Sequence, residues 1–142
     1  MFITLFLAII DTQKDLISYA RAGHEPALLG TTSGEENHLV KKLHGRGMAL
    51  GMVPSELFDE MIEDCEFPFK ENDTLVLYTD GVTEAANAEK QEFGIERLSS
   101  FLASNSKNSA KSLNKNLVRF LNEFSSVETE RDDVTLLTVK RI

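Results

Sequence analysis

Cysteine is almost absent from this chain, and so are long hydrophobic runs, proline-rich linkers and an adequate supply of cations. The one cysteine, Cys65, excludes an intrachain disulfide and leaves no thiolate cluster for a metal, which fits a reducing, cytoplasmic compartment. Within its run from Met61 to Phe69 it reads as a buried thiol rather than a nucleophile. The longest apolar stretch, Ile3 to Ile10 with Thr4 inside it, is far below the roughly 20 residues that span a bilayer, and no cationic segment precedes it. Neither membrane insertion nor export is expected. Asp and Glu outnumber Lys and Arg by 23 to 15, for a net charge of -8, which repels phosphate backbones and argues against nucleic acid as a partner. With 142 residues, 42% of them hydrophobic, and no repeat or low-complexity linker, one domain is expected.

The residues that are present change pattern midway. Phe2 to Ile10, Leu16 to Ala20, Ala27 to Leu29 and His38 to Leu43 alternate with turn-forming polar segments and predict an antiparallel meander over the first third. A loop carrying Gly45, Gly47 and Gly51 follows, then a strand-like Met61 to Phe69 and the run Thr74 to Tyr78. That last run is apolar on both faces, as a central strand is. Beyond it, Ile95, Leu98, Phe101 and Leu102, then Leu113, Leu117, Phe120, Leu121 and Phe124, fall at helical spacing. Asp133 to Val139 closes the chain as a strand. The class is therefore α+β.

Chemistry concentrates at two places. In Leu75-Val76-Leu77-Tyr78-Thr79-Asp80-Gly81, an apolar strand delivers a carboxylate onto a glycine turn. Such a charge calls for a cation, backbone N–H groups or water, and a turn-capping aspartate accounts for it about as well. In Arg131-Asp132-Asp133-Val134-Thr135, adjacent carboxylates stand before the last strand. They repel unless a positive charge lies near, and alternation lets only one of Asp132 and Asp133 aim at a given point. If the two strands lie side by side in parallel sense or meet at one sheet end, the carboxylates converge as hard oxygen ligands suited to magnesium or manganese. An acidic solvated turn is the plainer account of the pair taken alone.

Taken in order, Ala22-Gly23-His24, Gly47-Met48-Ala49-Leu50-Gly51, Thr79-Asp80-Gly81-Val82-Thr83-Glu84-Ala85, Phe93-Gly94 and Asp132-Asp133-Val134-Thr135 resemble the successive signatures of bacterial stage-II-sporulation-E-like phosphatases, a branch of the type 2C class. The resemblance runs the length of the chain and implies that residues 1–142 are the C-terminal portion of one phosphatase domain. It implies two antiparallel sheets packed as a sandwich with flanking helices, and two Mn²⁺ or Mg²⁺ ions in the complete domain. Asp80 and Asp132 match the family's metal ligands, and Asp133 and Gly81 stand beside them as outer or alternative positions. The implied activity is hydrolysis of phosphoserine or phosphothreonine by metal-activated water. The implied substrate is a phosphorylated anti-anti-sigma-factor-like protein in a partner-switching pathway.

The chain departs from the family pattern at Glu25, Ala27 and Ala49, and the family's D-x-x-G-H-G-like first metal motif occurs nowhere in it. Weak metal binding and little activity by this chain alone are therefore expected, and a regulatory binding module without catalysis is the alternative. His24 as a proton donor and Arg46 as a phosphate-binding cation are further candidates, each set against a structural or loop-tip role. Lys107, Lys111, Lys115 and Arg119 form a basic stripe read as a solvated helix face. Finally, the apolar strand Phe2 to Ile10, if unpaired at an edge, invites self-association.

Overall fold

A computed structural model describes residues 1–32, 39–125 and 133–142. The chain forms two compact units, Met1–Pro26 with Lys42–Glu71, and Ala27–Lys41 with Asn72–Ile142.

In the first unit, β1 (Leu5–Asp11), β2 (Leu16–Ala22) and β5 (Asp64–Pro68) make a three-stranded antiparallel sheet in the order β1-β2-β5. The hairpin between β1 and β2 closes because the Asp11 carboxylate accepts from the Gln13 and Lys14 amides at 2.9 and 3.0 Å. This is the aspartate turn that competes with further strand. Phe6 stacks on Tyr19, with ring centroids 5.4 Å apart, on one side of the sheet. On the other side Leu5, Leu7 and Ile9 of β1 are exposed. Among the described residues β1 pairs in the sheet with β2 alone, which makes it an edge strand. A helix, α1 (Ser55–Met61), precedes β5 and buries none of its residues.

The Lys14 amide, more than any other contact, holds the Asp11 carboxyl below its usual range. A lowered folded pKa stabilises the fold above the unfolded value, and that contribution disappears as pH falls through the folded one. Asp11→Ala is therefore expected to lower the melting temperature at neutral pH. The deficit should shrink below a pH of about 4, which thermal denaturation across a pH series would check.

A second sheet, β4-β3-β6-β7, is made from β3 (Ala27–Thr31), β4 (Leu39–Leu43), β6 (Thr74–Tyr78) and β7 (Leu136–Lys140), all within the second unit except Lys42 and Leu43 of β4. Both β3 and β7 run antiparallel to β6, with Leu28 opposite Val76 and Tyr78 opposite Leu136. A one-turn helix, α2 (Asp80–Thr83), leaves β6, and α3 (Gly94–Ser104) and α4 (Ala110–Phe124) follow. Their apolar stripes enter one core: Leu98 and Leu102 of α3 and Leu113, Leu117 and Leu121 of α4 are buried with Leu28, Val76, Tyr78 and Phe93. The Phe93 ring meets Phe120 and Phe124 edge-on, 5.5 and 5.3 Å away, a geometry that aromatic quadrupoles favour. Ser109 caps α4 by accepting from the Ser112 amide, and Lys140 donates from β7 to the Ser106 and Asn108 carbonyls of the α3–α4 turn.

Two antiparallel sheets with helices agree with the expected class, and β6 lies between β3 and β7 as a strand apolar on both faces should. Three expectations need correction. The first third is not one meander, because β2 and β3 enter different sheets; periodicity reports a strand but not its neighbour. Met61 ends α1 rather than opening a strand, and β5 starts only at Asp64, since Ser55 to Met61 is too short to display a helical period. Cys65 is half-buried rather than buried, its strand alternating exposed and covered positions. His38 lies outside the described residues.

Candidate functional site

The carboxylate of Asp80 is placed by the end of β6. Thr79 is extended, at φ -91° and ψ 163°, and serves as the N-cap position of α2, so the chain turns into a helix at Asp80. The Gly81 amide donates to Asp80 Oδ1 at 2.9 Å, which fixes the side chain, and Gly81 itself is buried. The Glu84 amide and the Thr83 hydroxyl donate to the Asp80 carbonyl at 2.8 and 3.2 Å, closing the turn. Asp80 is therefore the first residue of a helical turn, not its cap. Its side chain is exposed, and Oδ2 takes no hydrogen bond among the described residues. A negative charge in the first turn of a helix is favourable there.

Beside this turn runs the approach to β7. The ladder ends with Tyr78 opposite Leu136, and beyond it Thr79 continues the join by other means. Its amide donates to the Thr135 carbonyl at 3.2 Å. Its hydroxyl donates to the Asp133 carbonyl and accepts from the Thr135 amide, both at 3.0 Å. Because β6 and β7 are antiparallel, the exit of one is the entrance of the other, and Asp80 and Asp133 come to the same end of the sheet. Asp133 is exposed and precedes β7 rather than lying in it, so strand alternation does not decide which carboxylate of the pair aims where. Asp132 and Arg131 lie outside the described residues.

His24 and Arg46 belong to the first unit. His24 Nδ1 donates to the Glu25 carbonyl at 3.1 Å, and its ring lies edge-on to Phe6. Arg46 is an exposed loop residue: its Nε lies 3.7 Å from Glu63 Oε2 and its amide donates to the same oxygen, an arrangement worth little energy at a surface. The loop itself is tightly built. Gly23 has φ +70°, and a β-carbon there would lie 2.8 Å from the Ala49 amide nitrogen; at Gly47 one would lie 2.2 Å from the Arg21 carbonyl oxygen. The two glycine motifs are thus needed where backbones approach. Arg21 ties them together, its guanidinium donating to the carbonyls of Gly45 and His24. The Tyr19 hydroxyl donates to the His44 carbonyl at 2.5 Å. Burial first, and then the neighbouring Cys65, push that hydroxyl's pKa up to about 12.

Sequence reasoning gave Thr79 and Arg21 no role. The one signal for Thr79 was a hydroxyl, both donor and acceptor, at the last position before a carboxylate. Arg21, in a strand two residues before a glycine, carried no distinctive signal.

Among the described residues no three His, Cys, Asp or Glu side chains gather closely enough to hold an ion. The donors at the sheet end are nevertheless all hard oxygens on a braced backbone, which fits a divalent cation such as Mg²⁺ or Mn²⁺ better than a soft metal.

Two antiparallel sheets with helices define the fold of a type 2C protein phosphatase domain. Solved structures bear this out. The chain superposes on the SiaA-PP2C domain of Pseudomonas aeruginosa with a TM-score of 0.78 at 24% identity, covering 96% of this chain and 51% of that one. The RsbU and RsbW domains of Rv1364c from Mycobacterium tuberculosis give 0.75 at 21%, covering 97% and 36%. The phosphatase domain of SpoIIE from Bacillus subtilis, presoaked with Mn, gives 0.69 at 20%, covering 97% and 56%.

The family model of stage II sporulation protein E matches residues 1–142, and the chain belongs to that family. Phosphoserine phosphatase RsbU of Bacillus subtilis (strain 168) is 31% identical over 147 residues, covering 99% of this chain and 39% of that protein. Protein IcfG of Synechocystis is 36% identical over 105 residues, covering 74% and 15%. The chain thus spans well under half of either relative's length.

Proposed function

We propose that this chain forms the C-terminal portion of the catalytic domain of a metal-dependent protein serine/threonine phosphatase. Asp80, with Asp132 or Asp133, is a ligand to Mn²⁺ or Mg²⁺, two ions being held in the complete domain. The observation that carries this reading is the antiparallel join of β6 to β7, extended by Thr79, which brings the Asp80 turn and the Asp133 chain to one sheet end. Membership of a phosphatase family supports it. When bound, the ions would lower the pKa of a coordinated water and offset charge on the phosphoryl oxygens. The chain's own part is to hold them: Asp80 is oriented through Gly81, and the Asp133 main chain is fixed through Thr79.

No protein nucleophile is required, in keeping with Cys65 as a half-buried residue of β5. His24 and Arg46 are assigned to loop structure on the strength of their hydrogen bonds. The substrate in this reading is a phosphorylated anti-anti-sigma-factor-like protein, as the family resemblance implies, and the compartment is the cytoplasm. Among the described residues no helix is long and apolar enough to cross a membrane. The exposed apolar edge strand β1 is the route for self-association.

With only these carboxylates and no D-x-x-G-H-G-like segment, the chain by itself binds metal weakly and turns over little substrate. A regulatory module without catalysis is the second reading, favoured by the lack of a D-x-x-G-H-G-like segment in residues 1–142. The test is Mn²⁺ titration by calorimetry alongside Mn²⁺-dependent hydrolysis of a small aryl phosphate, for the chain and for Asp80→Asn. Selective binding lost in the variant, with measurable turnover, supports the enzyme. Binding without turnover favours the regulatory module, and unselective binding unchanged in the variant removes the metal site altogether.

A further inference from the structure

We propose that Thr79 is a positioning residue for the metal site, its hydroxyl setting the separation between the Asp80 turn and the chain at Asp133. This role rests on the metal-binding function proposed above. Among the described residues the Asp80 carboxylate is bonded locally, to the amide of the next residue, and that contact does not control its distance from a second strand. Regular pairing stops at Tyr78 and Leu136. From there to Asp133, Thr79 makes three hydrogen bonds that join the two segments among the described residues.

A threonine hydroxyl has one proton and two lone pairs, and here it donates to the Asp133 carbonyl while accepting from the Thr135 amide, both at 3.0 Å. The Thr79 carbonyl meanwhile accepts from the Val82 amide of α2 at 3.0 Å. One residue is therefore bonded to both carboxylate-bearing segments. Two exposed acidic segments repel before a cation arrives, and Thr79 opposes that repulsion in advance. Serine can repeat both hydroxyl bonds, whereas isosteric valine can make neither and would leave the Asp133 carbonyl and the Thr135 amide without this partner.

Variants Thr79→Val, Thr79→Ser, Asn114→Ala and Asp80→Asn of the full chain separate this role from simple strand stapling. Asn114 accepts from Thr138 of β7, so its loss weakens the same strand away from the site. Mn²⁺ affinity would be read by electron paramagnetic resonance, the Thr135 amide by hydrogen exchange, and stability by thermal denaturation. Thr79→Val should weaken Mn²⁺ binding about 10-fold, as loss of a ligand-supporting hydrogen bond does, and should speed exchange at Thr135. Thr79→Ser should restore both, and Asn114→Ala should lower stability without altering Mn²⁺ affinity. Thr79→Ala provides a second hydroxyl-free form should valine fail to fold. Wild-type Mn²⁺ affinity in a folded hydroxyl-free variant, with Asp80→Asn defective, overturns the positioning role alone. An equal loss in Asn114→Ala overturns it too, as mere stability. Wild-type affinity in Asp80→Asn overturns the metal site beneath it.

Discussion

Replacing Asp80 with asparagine should reduce Mn²⁺ affinity by about 100-fold or more while leaving the melting temperature close to that of the parent. Loss of groups that merely support metal ligands already costs about 10- to 100-fold, and a direct ligand stands at or above the upper end. Asparagine keeps the shape and an oxygen able to accept from the Gly81 amide, so the α2 turn persists. What it removes is the charge. Because the side chain is exposed and is not the cap of its helix, little folding energy goes with it. The separation of a large affinity loss from a small stability change is the signature of a ligand rather than a structural aspartate. Asp132→Asn and Asp133→Asn, titrated in parallel, decide between the members of the pair: the ligand's loss should match that of Asp80→Asn, and its neighbour's should be smaller. Equal, negligible effects from all three would remove the metal site.

The largest stability effect should come from Phe93→Ala, at about 3–5 kcal/mol by urea denaturation. Phe93 is 0% exposed and belongs to the core beneath α3 and α4. Truncation leaves a cavity and removes the edge-on contacts with Phe120 and Phe124, each such pair being worth about 0.5–1.5 kcal/mol beyond burial. Against the roughly 5–15 kcal/mol net stability of a domain, that loss is a large share. Phe93→Leu, which keeps most of the volume, should cost distinctly less. A loss under about 1 kcal/mol in the alanine variant would mean that the site collapses freely, contrary to the close packing of protein interiors.

Local chemistry was enough to specify the helices and several strands. Leu98 and Leu102, and Leu113, Leu117 and Leu121, lie buried where their spacing required, because a helix cannot bury such a stripe except on one side. Thr74 to Tyr78 had to be central because strands apolar on both faces need cover on both. The sequence also displayed Asp80 at a strand exit and an acidic pair before the last strand. Its ordered motifs were sufficient to name the family.

Pairing was decided elsewhere. Nothing in the alternation of Leu16 to Leu43 says that β2 joins β1 and β5 while β3 joins β4 and β6, since strand neighbours are chosen by long-range hydrogen bonds that leave no mark on spacing. The same holds for the antiparallel meeting of β6 and β7, and for Thr79, whose hydroxyl gains its role only from carbonyl and amide groups 54 and 56 residues further along the chain. Which side chains could bind an ion was thus written in residue type, whereas which of them share a place was set by the sheet. A carboxylate's chemistry is intrinsic, but its neighbours are a property of the folded chain.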